Sequence, residues 1–173
     1  MILIRQERPD DYAPVHALTK AAFAESAHAD GDEQEIAPKL RQKAGFHPEL
    51  SLVAELDGKL VGHILFTEIS IDEHPALCLG IVSVLPQAQG QGIGAALIEA
   101  GHEAAQKLGF LLAVLVGHAD YYPRFGYVPA GQYGIHFPFD VPEACKMVKF
   151  LDERGKSVQG TAVFPPELVP EGS

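Results

Sequence analysis

The sequence predicts an α/β domain whose sheet contains both parallel and antiparallel strands. Residues 51–79 hold apolar, β-branched segments, two of which meet at Asp57-Gly58, a dipeptide typical of a two-residue hairpin turn. Residues 80–116 then run from an apolar strand through a glycine-rich turn and an amphipathic helix to a second apolar strand. Such a strand–helix–strand crossover joins parallel strands, so the sheet is mixed.

Periodicity and capping residues place the remaining elements in chain order. Residues 2–4 form a short opening strand, and Asp10 is placed to cap the helix that follows. A second helix is predicted over about 33–44. Proline and glycine punctuate the C-terminal part, where strands are predicted over 145–151 and 161–164. The 173 residues suit one domain with one core.

The other elements are arranged around residues 80–109. The first seven of these residues are mostly apolar and end at Pro86, which predicts a strand buried on both faces. Apolar residues then recur every three or four positions along one face of a predicted helix: Ile93, Ala96, Leu97, Ala100, Ala104 and Leu108. Gly109 suits the left-handed position that follows a helix.

The connection between this strand and this helix, hereafter the glycine loop, has no charged side chain. It comprises Gln89, Gly90, Gln91, Gly92, Ile93, Gly94 and Ala95. The first turn of a helix has four N–H groups without an internal partner, and its dipole places about half a positive charge there. The loop therefore predicts a phosphate site built from backbone N–H groups, with no lysine required.

Two other phosphate motifs and a purely structural role compete for these glycines. A P-loop requires Gly-Lys-Ser/Thr, which the loop lacks. The segment from Gly90 to Ala95 satisfies the dinucleotide pattern G-x-G-x-x-A, but the carboxylate expected about twenty residues later is absent from residues 113–116. A tight strand–helix turn, with glycines for packing alone, remains an alternative.

Two segments, in the right order and spacing, resemble the GNAT superfamily of acyl-CoA N-acyltransferases. The glycine loop resembles the signature Q/R-x-x-G-x-G/A, and Val84-Leu85-Pro86 stands where the family has Val-x-Pro. Further along the chain, residues 121–127 resemble the family's Tyr-x-x-x-Gly-Phe segment. Their form, Tyr-Tyr-x-Arg-Phe-Gly-Tyr, is similar to that of one bacterial branch of predicted N-acetyltransferases.

This resemblance implies a fold and a co-substrate. Two parallel strands, ending near Val84 and Val116, are expected to splay apart in a sheet with helices on both faces. The co-substrate is expected to be acetyl-CoA or another acyl-CoA, whose pantetheine arm pairs with the exposed backbone. The glycine loop would bind the diphosphate, and Val82, Val84 and Leu85 would align the pantetheine and thioester. A backbone N–H of Val84 or Leu85 would polarise the thioester carbonyl.

The resemblance also assigns an acid for the departing thiolate. The family's tyrosine matches Tyr122, which stands four residues before Gly126, and Tyr121 is the alternative if the register shifts by one. A phenol with a pKa near 10 can donate a hydrogen bond or a proton to sulfur. Cys78 falls near the place where some branches of the family have a Glu, and a thiol is a poor general base.

Four titratable side chains are candidates for the base that takes a proton from the attacking amine: Glu68, His118, Asp120 and Glu33. Glu68 is placed on the strand next to the central one. His118 follows the second splayed strand, and histidine is a common general base. For each of the four, a surface or structural role is the alternative. If a chain of water molecules removes the amine proton, no dedicated base is needed.

Composition narrows the partners and the location. The net charge of −10 argues against a nucleic-acid surface. No apolar segment approaches the roughly twenty residues that span a bilayer, and no secretory signal is apparent. Cys78 and Cys145 are expected to be free thiols in a reducing cytoplasm. The eight histidines lack metal-ligand spacing, so no metal is expected.

The sequence thus predicts an N-acyltransferase that moves an acyl group, with acetyl as the expected one, from acyl-CoA to a small-molecule or peptide amine. Direct attack in a ternary complex is the expected mechanism. The alternative is an acyl-CoA-binding sensor of the same fold with little transfer, which the missing base leaves open. The protein is expected to be a monomer or a homodimer.

Overall fold

The structure is a computed structural model that describes residues 1–24 and 31–170. The strands within these ranges are β1 (Ile2–Gln6), β2 (Phe46–Leu56), β3 (Lys59–Ile71), β4 (His74–Val84), β5 (Leu112–Val116), β6 (Val128–Pro129), β7 (Ile135–His136), β8 (Lys146–Phe150) and β9 (Gly160–Val163). The α-helices are α1 (Tyr12–Phe23), α2 (Ile36–Leu40) and α3 (Ile93–Lys107). Across the described ranges, no helix combines the length and apolar character needed to cross a bilayer.

The strand order is β1-β2-β3-β4-β5-β8-β6, and β9 pairs with both β3 and β7. The β4–β5 and β7–β9 pairs are parallel, whereas β1–β2, β3–β9, β5–β8 and β6–β8 are antiparallel. The predicted mixed α/β architecture is therefore confirmed.

The chain divides into two compact units. The described residues of Met1–Phe66 and Gly80–Ala104 form the first unit, and those of Thr67–Leu79 and Ala105–Ser173 form the second. Strands β3 and β4 and helix α3 contribute residues to both units. That the 173 residues form one domain stays a prediction.

In the first unit, the β2–β3 hairpin turns at Asp57 and Gly58, as the sequence predicts. Both residues have positive φ, 53° and 82°, which is the backbone pattern of a type I′ turn and matches the twist of paired strands. Strand β1 pairs with β2 in an antiparallel register that sets Ile4 opposite Ala54. Local turn chemistry and the alternation of apolar residues are thus sufficient to predict this hairpin.

Helix α1 begins after a 3-10 turn at Pro9–Asp11, and Asp11 rather than Asp10 occupies its N-cap position. The Asp11 side chain closes that 3-10 turn and makes no capping hydrogen bond to α1. The Arg8 N–H donates to the Asp11 carboxylate at 2.8 Å. Arg5 holds the same carboxylate through two N–H groups, at 2.7 and 2.9 Å, and this pairing lowers the pKa of Asp11 to about 2. The prediction of Asp10 is wrong because Arg5, which lies on β1 outside the local capping pattern, binds the carboxylate of Asp11 instead.

The second helix is shorter than the predicted 33–44. A 3-10 turn at Glu33–Glu35 leads into α2, which buries Ala37 and Leu40 and ends there. The N–H groups of the next residues donate to carbonyls three or four residues back, as in Lys43 N to Leu40 O at 3.1 Å. The apolar spacing beyond Leu40 therefore belongs to turns that lead into β2.

In the second unit, β5 lies between β4 and β8. The register pairs Leu77 with Ala113 and Cys78 with Val114, and β5 then runs on to Val116. Strand β8 inserts between β5 and β6 and is antiparallel to both. The core of this unit includes buried side chains from five strands: Ile71, Leu112, Val114, Ile135, Val148 and Ala162.

Candidate functional site

The end of β4 has one buried face and one half-buried face. Ile81, Ser83 and the following Leu85 are buried, whereas Val82 and Val84 are only half-buried. The sequence predicted burial on both faces. The structure corrects this prediction, because the alternation of side chains along a strand leaves Val82 and Val84 on a partly accessible face.

Of the two amides considered for the thioester carbonyl, that of Leu85 is already engaged. Its N–H donates to the Val61 carbonyl at 2.9 Å. Successive amides of a strand point to opposite sides, so the Val84 N–H points away from β3. The carbonyl of Val84 accepts a hydrogen bond from Gln89 Nε2 at 3.1 Å, which ties the end of β4 to the glycine loop. The Leu85 amide therefore ties the end of β4 to β3. The Val84 amide remains the candidate to donate a hydrogen bond to the thioester carbonyl.

The glycine loop follows a 3-10 helix at Pro86–Ala88 and leads directly into α3. Gly90 and Gly92 have φ of +78° and +79°, values that residues with a Cβ rarely adopt. A Cβ at either position would meet no heavy atom within 4 Å. These two glycines therefore serve the backbone conformation and leave open space beside it, which does not fit a role in packing alone.

Helix α3 presents the N–H groups of its first turn at this loop. The Ala96 N–H donates to the Gly92 carbonyl at 3.0 Å, so the amides just before Ala96 have no helical carbonyl to bind. Residues 89–92 are exposed, and the first turn of α3, all of it described, contains no acidic side chain. The helix has 15 residues, and its dipole favours an anion at this end.

Gly62 of β3 sets how closely the start of α3 approaches the sheet. A Cβ there would lie 2.9 Å from Leu97 Cδ1, 3.1 Å from Ile93 Cγ2 and 3.2 Å from the Ser83 carbonyl oxygen. Ile93 and Leu97 are fully buried. This packing fixes the direction of the helix and therefore the direction in which the loop amides point.

The second motif forms the turn of residues 117–127, hereafter the tyrosine turn. The Gly117 N–H donates to the Cys145 carbonyl at 3.0 Å. The N–H groups of Tyr121 and Tyr122 donate to the His118 carbonyl at 3.2 and 3.4 Å. The backbone that precedes the tyrosines is thus held on both sides.

A 3-10 helix, Tyr122–Phe125, continues the tyrosine turn and ends at Gly126, which is left-handed with φ of 94°. Lys149 Nζ donates to the Phe125 carbonyl at 2.7 Å, and a Cβ on Gly126 would lie 2.6 Å from that Nζ. The lysine, which comes from β8, therefore caps the end of this helix in space that only glycine leaves free.

The Tyr122 ring lies in an aromatic cluster. Its centroid is 5.1 Å from that of Tyr121, 5.8 Å from Tyr127 and 6.4 Å from Phe125. Burial, with Tyr121 as a second cause, raises the pKa of Tyr122 to about 12, so its hydroxyl keeps its proton at neutral pH. Within the described residues this hydroxyl has no hydrogen-bond partner. The Tyr121 ring instead lies under the guanidinium of Arg124, at 4.6 Å.

The base candidates lie in different parts of the chain. Glu68 is half-buried on β3, His118 and Asp120 are exposed in the tyrosine turn, and Glu33 is half-buried in the first unit. Burial raises the pKa of Cys78 to about 12, so this thiol is unsuited to accept a proton. The assignment of a base stays a prediction. Among residues 1–24 and 31–170, no group of three or more His, Cys, Asp or Glu side chains is placed to hold a metal ion.

A buried polar cluster in the first unit is not indicated by any motif. The Glu7 carboxylate accepts from Arg41 Nη2 at 2.6 Å and from Ser51 Oγ at 2.8 Å. His63 Nε2 lies 3.0 Å from Ser51 Oγ. Burial, with the charge of Arg41 second, lowers the pKa of His63 to about 3. The four residues come from four separate segments, so no local pattern could reveal them.

A family model described as an acetyltransferase (GNAT) domain matches residues 47–129. This range contains both the glycine loop and the tyrosine turn. The chain is also 34% identical over 158 residues to YjhQ, an uncharacterized N-acetyltransferase of Escherichia coli, and the match covers 87% of this chain and 84% of the relative.

Two solved structures are similar over nearly the whole chain. One is a GNAT family acetyltransferase from Brucella melitensis in complex with acetyl-CoA, with 33% identity, a TM-score of 0.80 and coverage of 98% of this chain and 99% of that one. The other is the GNAT family N-acetyltransferase YhbS from Escherichia coli in complex with CoA, with 24% identity, a TM-score of 0.88 and coverage of 99% and 93%. At that identity, the second likeness shows the fold alone. The chain therefore belongs to the GNAT family, as its two motifs predicted, and is an N-acetyltransferase.

Proposed function

We propose that this protein transfers an acetyl group from acetyl-CoA to a primary amine, by direct attack of the amine in a ternary complex. The observation that carries the proposal is the glycine loop, whose exposed backbone, open space at Gly90 and Gly92 and unpaired helix amides suit a diphosphate. The Brucella melitensis relative is in complex with acetyl-CoA, which supports the same co-substrate here.

Each part of the co-substrate has a proposed partner. The backbone of residues 89–95 holds the diphosphate, with Gln89 also fixing the end of β4 through Val84. Val82 and Val84, on the half-buried face of β4, align the pantetheine arm. The Val84 N–H polarises the thioester carbonyl, because the Leu85 N–H is bound to Val61.

In this proposal the reaction forms a C–N bond at the acetyl carbon and breaks its C–S bond. The amine attacks in its neutral form and loses one proton as the amide forms. The departing sulfur takes a proton from the Tyr122 hydroxyl, which its raised pKa keeps protonated at neutral pH. The phenolate then recovers a proton from water, and CoA leaves as the free thiol. Holding both reactants together supplies much of the acceleration.

The amine proton leaves to one of the four base candidates or to water. The net charge of −10 favours acceptors that carry a cationic amine, either a small molecule or a peptide. The free thiols of Cys78 and Cys145 are in keeping with a cytoplasmic protein, and we propose that it acts as a monomer or homodimer.

The first test is the thermal midpoint of the full chain with acetyl-CoA, CoA, NAD, NADP or ATP. A ligand at a hundred times its dissociation constant adds about 2.7 kcal/mol to the unfolding free energy. For a chain of this size that raises the midpoint by about 5 to 10 °C. We expect this shift with acetyl-CoA and CoA alone. A larger shift with NAD, or none with either CoA compound, contradicts the assignment of the loop.

The second test separates transfer from binding. Free thiol is measured as it is released from acetyl-CoA in the presence of a panel of amines, including polyamines, aminoglycosides, amino acids and peptides with free termini. Amine-dependent thiol release with matching acetylated product supports the proposal. Tight binding of acetyl-CoA without release for any amine would favour the acyl-CoA sensor, a function from a different class.

A further inference from the structure

Gly117 lies directly against the ring of Tyr122. A Cβ at residue 117 would be 2.5 Å from Tyr122 Cε2 and 2.9 Å from Tyr122 Cδ2, closer than real Cβ contacts come. The φ of Gly117 is not in the left-handed region, so the backbone conformation alone does not require glycine here. What requires it is the position of the tyrosine ring.

The backbone cannot withdraw from the ring at low cost. The Gly117 N–H is bound to the Cys145 carbonyl at 3.0 Å, and the preceding Val116 is in register with Lys146 of β8. The carbonyl of His118 holds the two tyrosine amides. Moving this segment away from Tyr122 would break backbone hydrogen bonds on both sides of residue 117.

The Tyr122 ring would therefore have to move to accommodate a side chain at residue 117. Restoring an ordinary contact of 3.4 Å from 2.5 Å needs a displacement of about 0.9 Å. The neighbouring Tyr127 is 1% exposed and stands edge-on to Tyr122, which limits the directions in which the ring can move. The hydroxyl at the end of the ring moves with it.

We propose that Gly117 is a positioning residue, whose missing side chain sets where the Tyr122 hydroxyl stands. This inference rests on the proposed function, in which that hydroxyl protonates the departing sulfur. Misplacing a catalytic group by about 1 Å can cost about a hundredfold in rate. Gly117 thus acts on the reaction through Tyr122 and not through a contact of its own with the substrate.

The test compares two glycine-to-alanine variants with the same steric conflict. Gly117→Ala should lower kcat by about 10- to 100-fold while the dissociation constant for CoA stays unchanged. Gly101→Ala is the matched control, because a Cβ there would lie 2.4 Å from Phe66 Cε1 in the first unit. Assayed at a temperature where both variants are folded, Gly101→Ala should keep its kcat even though its thermal midpoint falls.

A double-mutant cycle tests whether the loss of kcat in Gly117→Ala depends on the Tyr122 hydroxyl. In a Tyr122→Phe background, Gly117→Ala should cause no further loss of kcat, since the displaced ring has no proton to give. A purely structural role would lower kcat in both backgrounds. Normal kcat in Gly117→Ala, together with slow turnover in Tyr122→Phe, would overturn the inference.

Two readouts do not depend on activity. The chain has no tryptophan and five tyrosines, three of them in the tyrosine turn, so near-ultraviolet circular dichroism reports their packing. Gly117→Ala should change this spectrum, and adding Tyr122→Ala should remove any effect of the alanine at residue 117 on the thermal midpoint. If the wild type releases no thiol, the proposed function fails, yet these two readouts still decide whether Gly117 positions the ring.

Discussion

The glycine loop and the tyrosine turn both follow a strand and lead into a helical segment, but they position different chemical groups. The loop offers backbone amides, and its two left-handed glycines stand in open space. The turn offers one side chain, Tyr122, which is enclosed by aromatic rings and by Gly117. Apart from Gly62, which sets the approach of α3 to the sheet, the backbone site depends on few, local residues, whereas the side-chain site depends on everything that packs against the side chain.

This difference predicts opposite sensitivities. In the loop, a side chain added at Gly90 or Gly92 would meet the proposed diphosphate before it meets the protein, so the charge of the new side chain should decide its effect. In the turn, an added methyl group meets the protein first, so its volume decides the effect. The predictions below test these two sensitivities, from the largest expected effect to the smallest.

Gly92→Asp should weaken CoA binding by about a thousandfold. It places a carboxylate where the diphosphate is proposed to lie, and two like charges about 4 Å apart at an effective dielectric constant of 20 repel by about 4 kcal/mol. The fold should survive, because an aspartate next to the first turn of a helix favours the helix. Calorimetric titration with CoA measures the affinity.

Gly92→Asn is the matched control for that change. Asparagine has the same shape and tolerates positive φ about as well, but it carries no charge. It should weaken CoA binding far less than aspartate does, and the gap between the two should narrow at high salt. Wild-type affinity in a folded Gly92→Asp protein would mean that the loop does not hold the diphosphate.

Tyr122→Phe should lower kcat by about a hundredfold, the lower end of the effect of a general acid, with little change in CoA affinity. Phenylalanine keeps the ring contacts and removes only the hydroxyl. Tyr121→Phe is the control, since its ring lies under Arg124, and it should leave kcat within a few-fold of wild type. If Tyr121→Phe is the slow variant, the acid is Tyr121 and not Tyr122.

The glycine loop was predictable because its proposed function resides in backbone positions that few sequences permit. Glycine where φ is positive and an uncharged first helical turn can both be recognised without knowing what packs nearby. Tyr122 was predictable only through the resemblance, from its spacing to Gly126. Lys149 was not, because it reaches Phe125 only once β5 and β8 have paired. Gly117 was not, because no pattern in the sequence shows that the Tyr122 ring folds back against it.

The same limit applies to the fold. The hairpin at Asp57-Gly58 and the parallel crossover around α3 follow from turn chemistry and periodicity, and both were predicted. The alternation in residues 146–150 predicts a strand but does not determine which strands pair with it. The position of β8 between β5 and β6 therefore could not be predicted. The hydrogen bond of the Leu85 amide could not be predicted for the same reason, since its acceptor is the Val61 carbonyl on another strand.

Acid should weaken the unit that contains the glycine loop, because that unit also contains His63. Folding holds this histidine neutral, with its pKa lowered to about 3, among Glu7, Arg41 and Ser51. The unfolded chain binds a proton below about pH 6.5 that the folded chain excludes, so stability is lost as the pH falls from 6.5 towards 3. We expect about 2 to 3 kcal/mol of unfolding free energy to be lost between pH 6.5 and 4.5.

Denaturant unfolding at several pH values measures this loss, and His63→Gln should remove most of the slope. His16→Gln is the control, because His16 is only half-buried and pairs with Glu35 at 2.7 Å, so the slope should remain. The pH window excludes the contribution of Asp11, whose lowered pKa of about 2 matters only below about pH 4. An unchanged slope in His63→Gln would place the acid sensitivity elsewhere.

Lys149→Met should cost about 1 to 2 kcal/mol of unfolding free energy, because the Phe125 carbonyl loses its charged donor. Lys146→Met is the control, since Lys146 pairs with a Glu143 side chain that is 76% exposed and such pairs contribute about 0 to 1 kcal/mol. The ring of Tyr122 keeps its contacts with Gly117 and Tyr127 in this variant, so kcat should fall by less than about fivefold. A loss of kcat as large as that of Tyr122→Phe would mean that the cap, and not the surrounding rings, holds the hydroxyl in place. The side-chain site would then depend on one hydrogen bond, and its contrast with the locally built glycine loop would be weaker than the ring packing indicates.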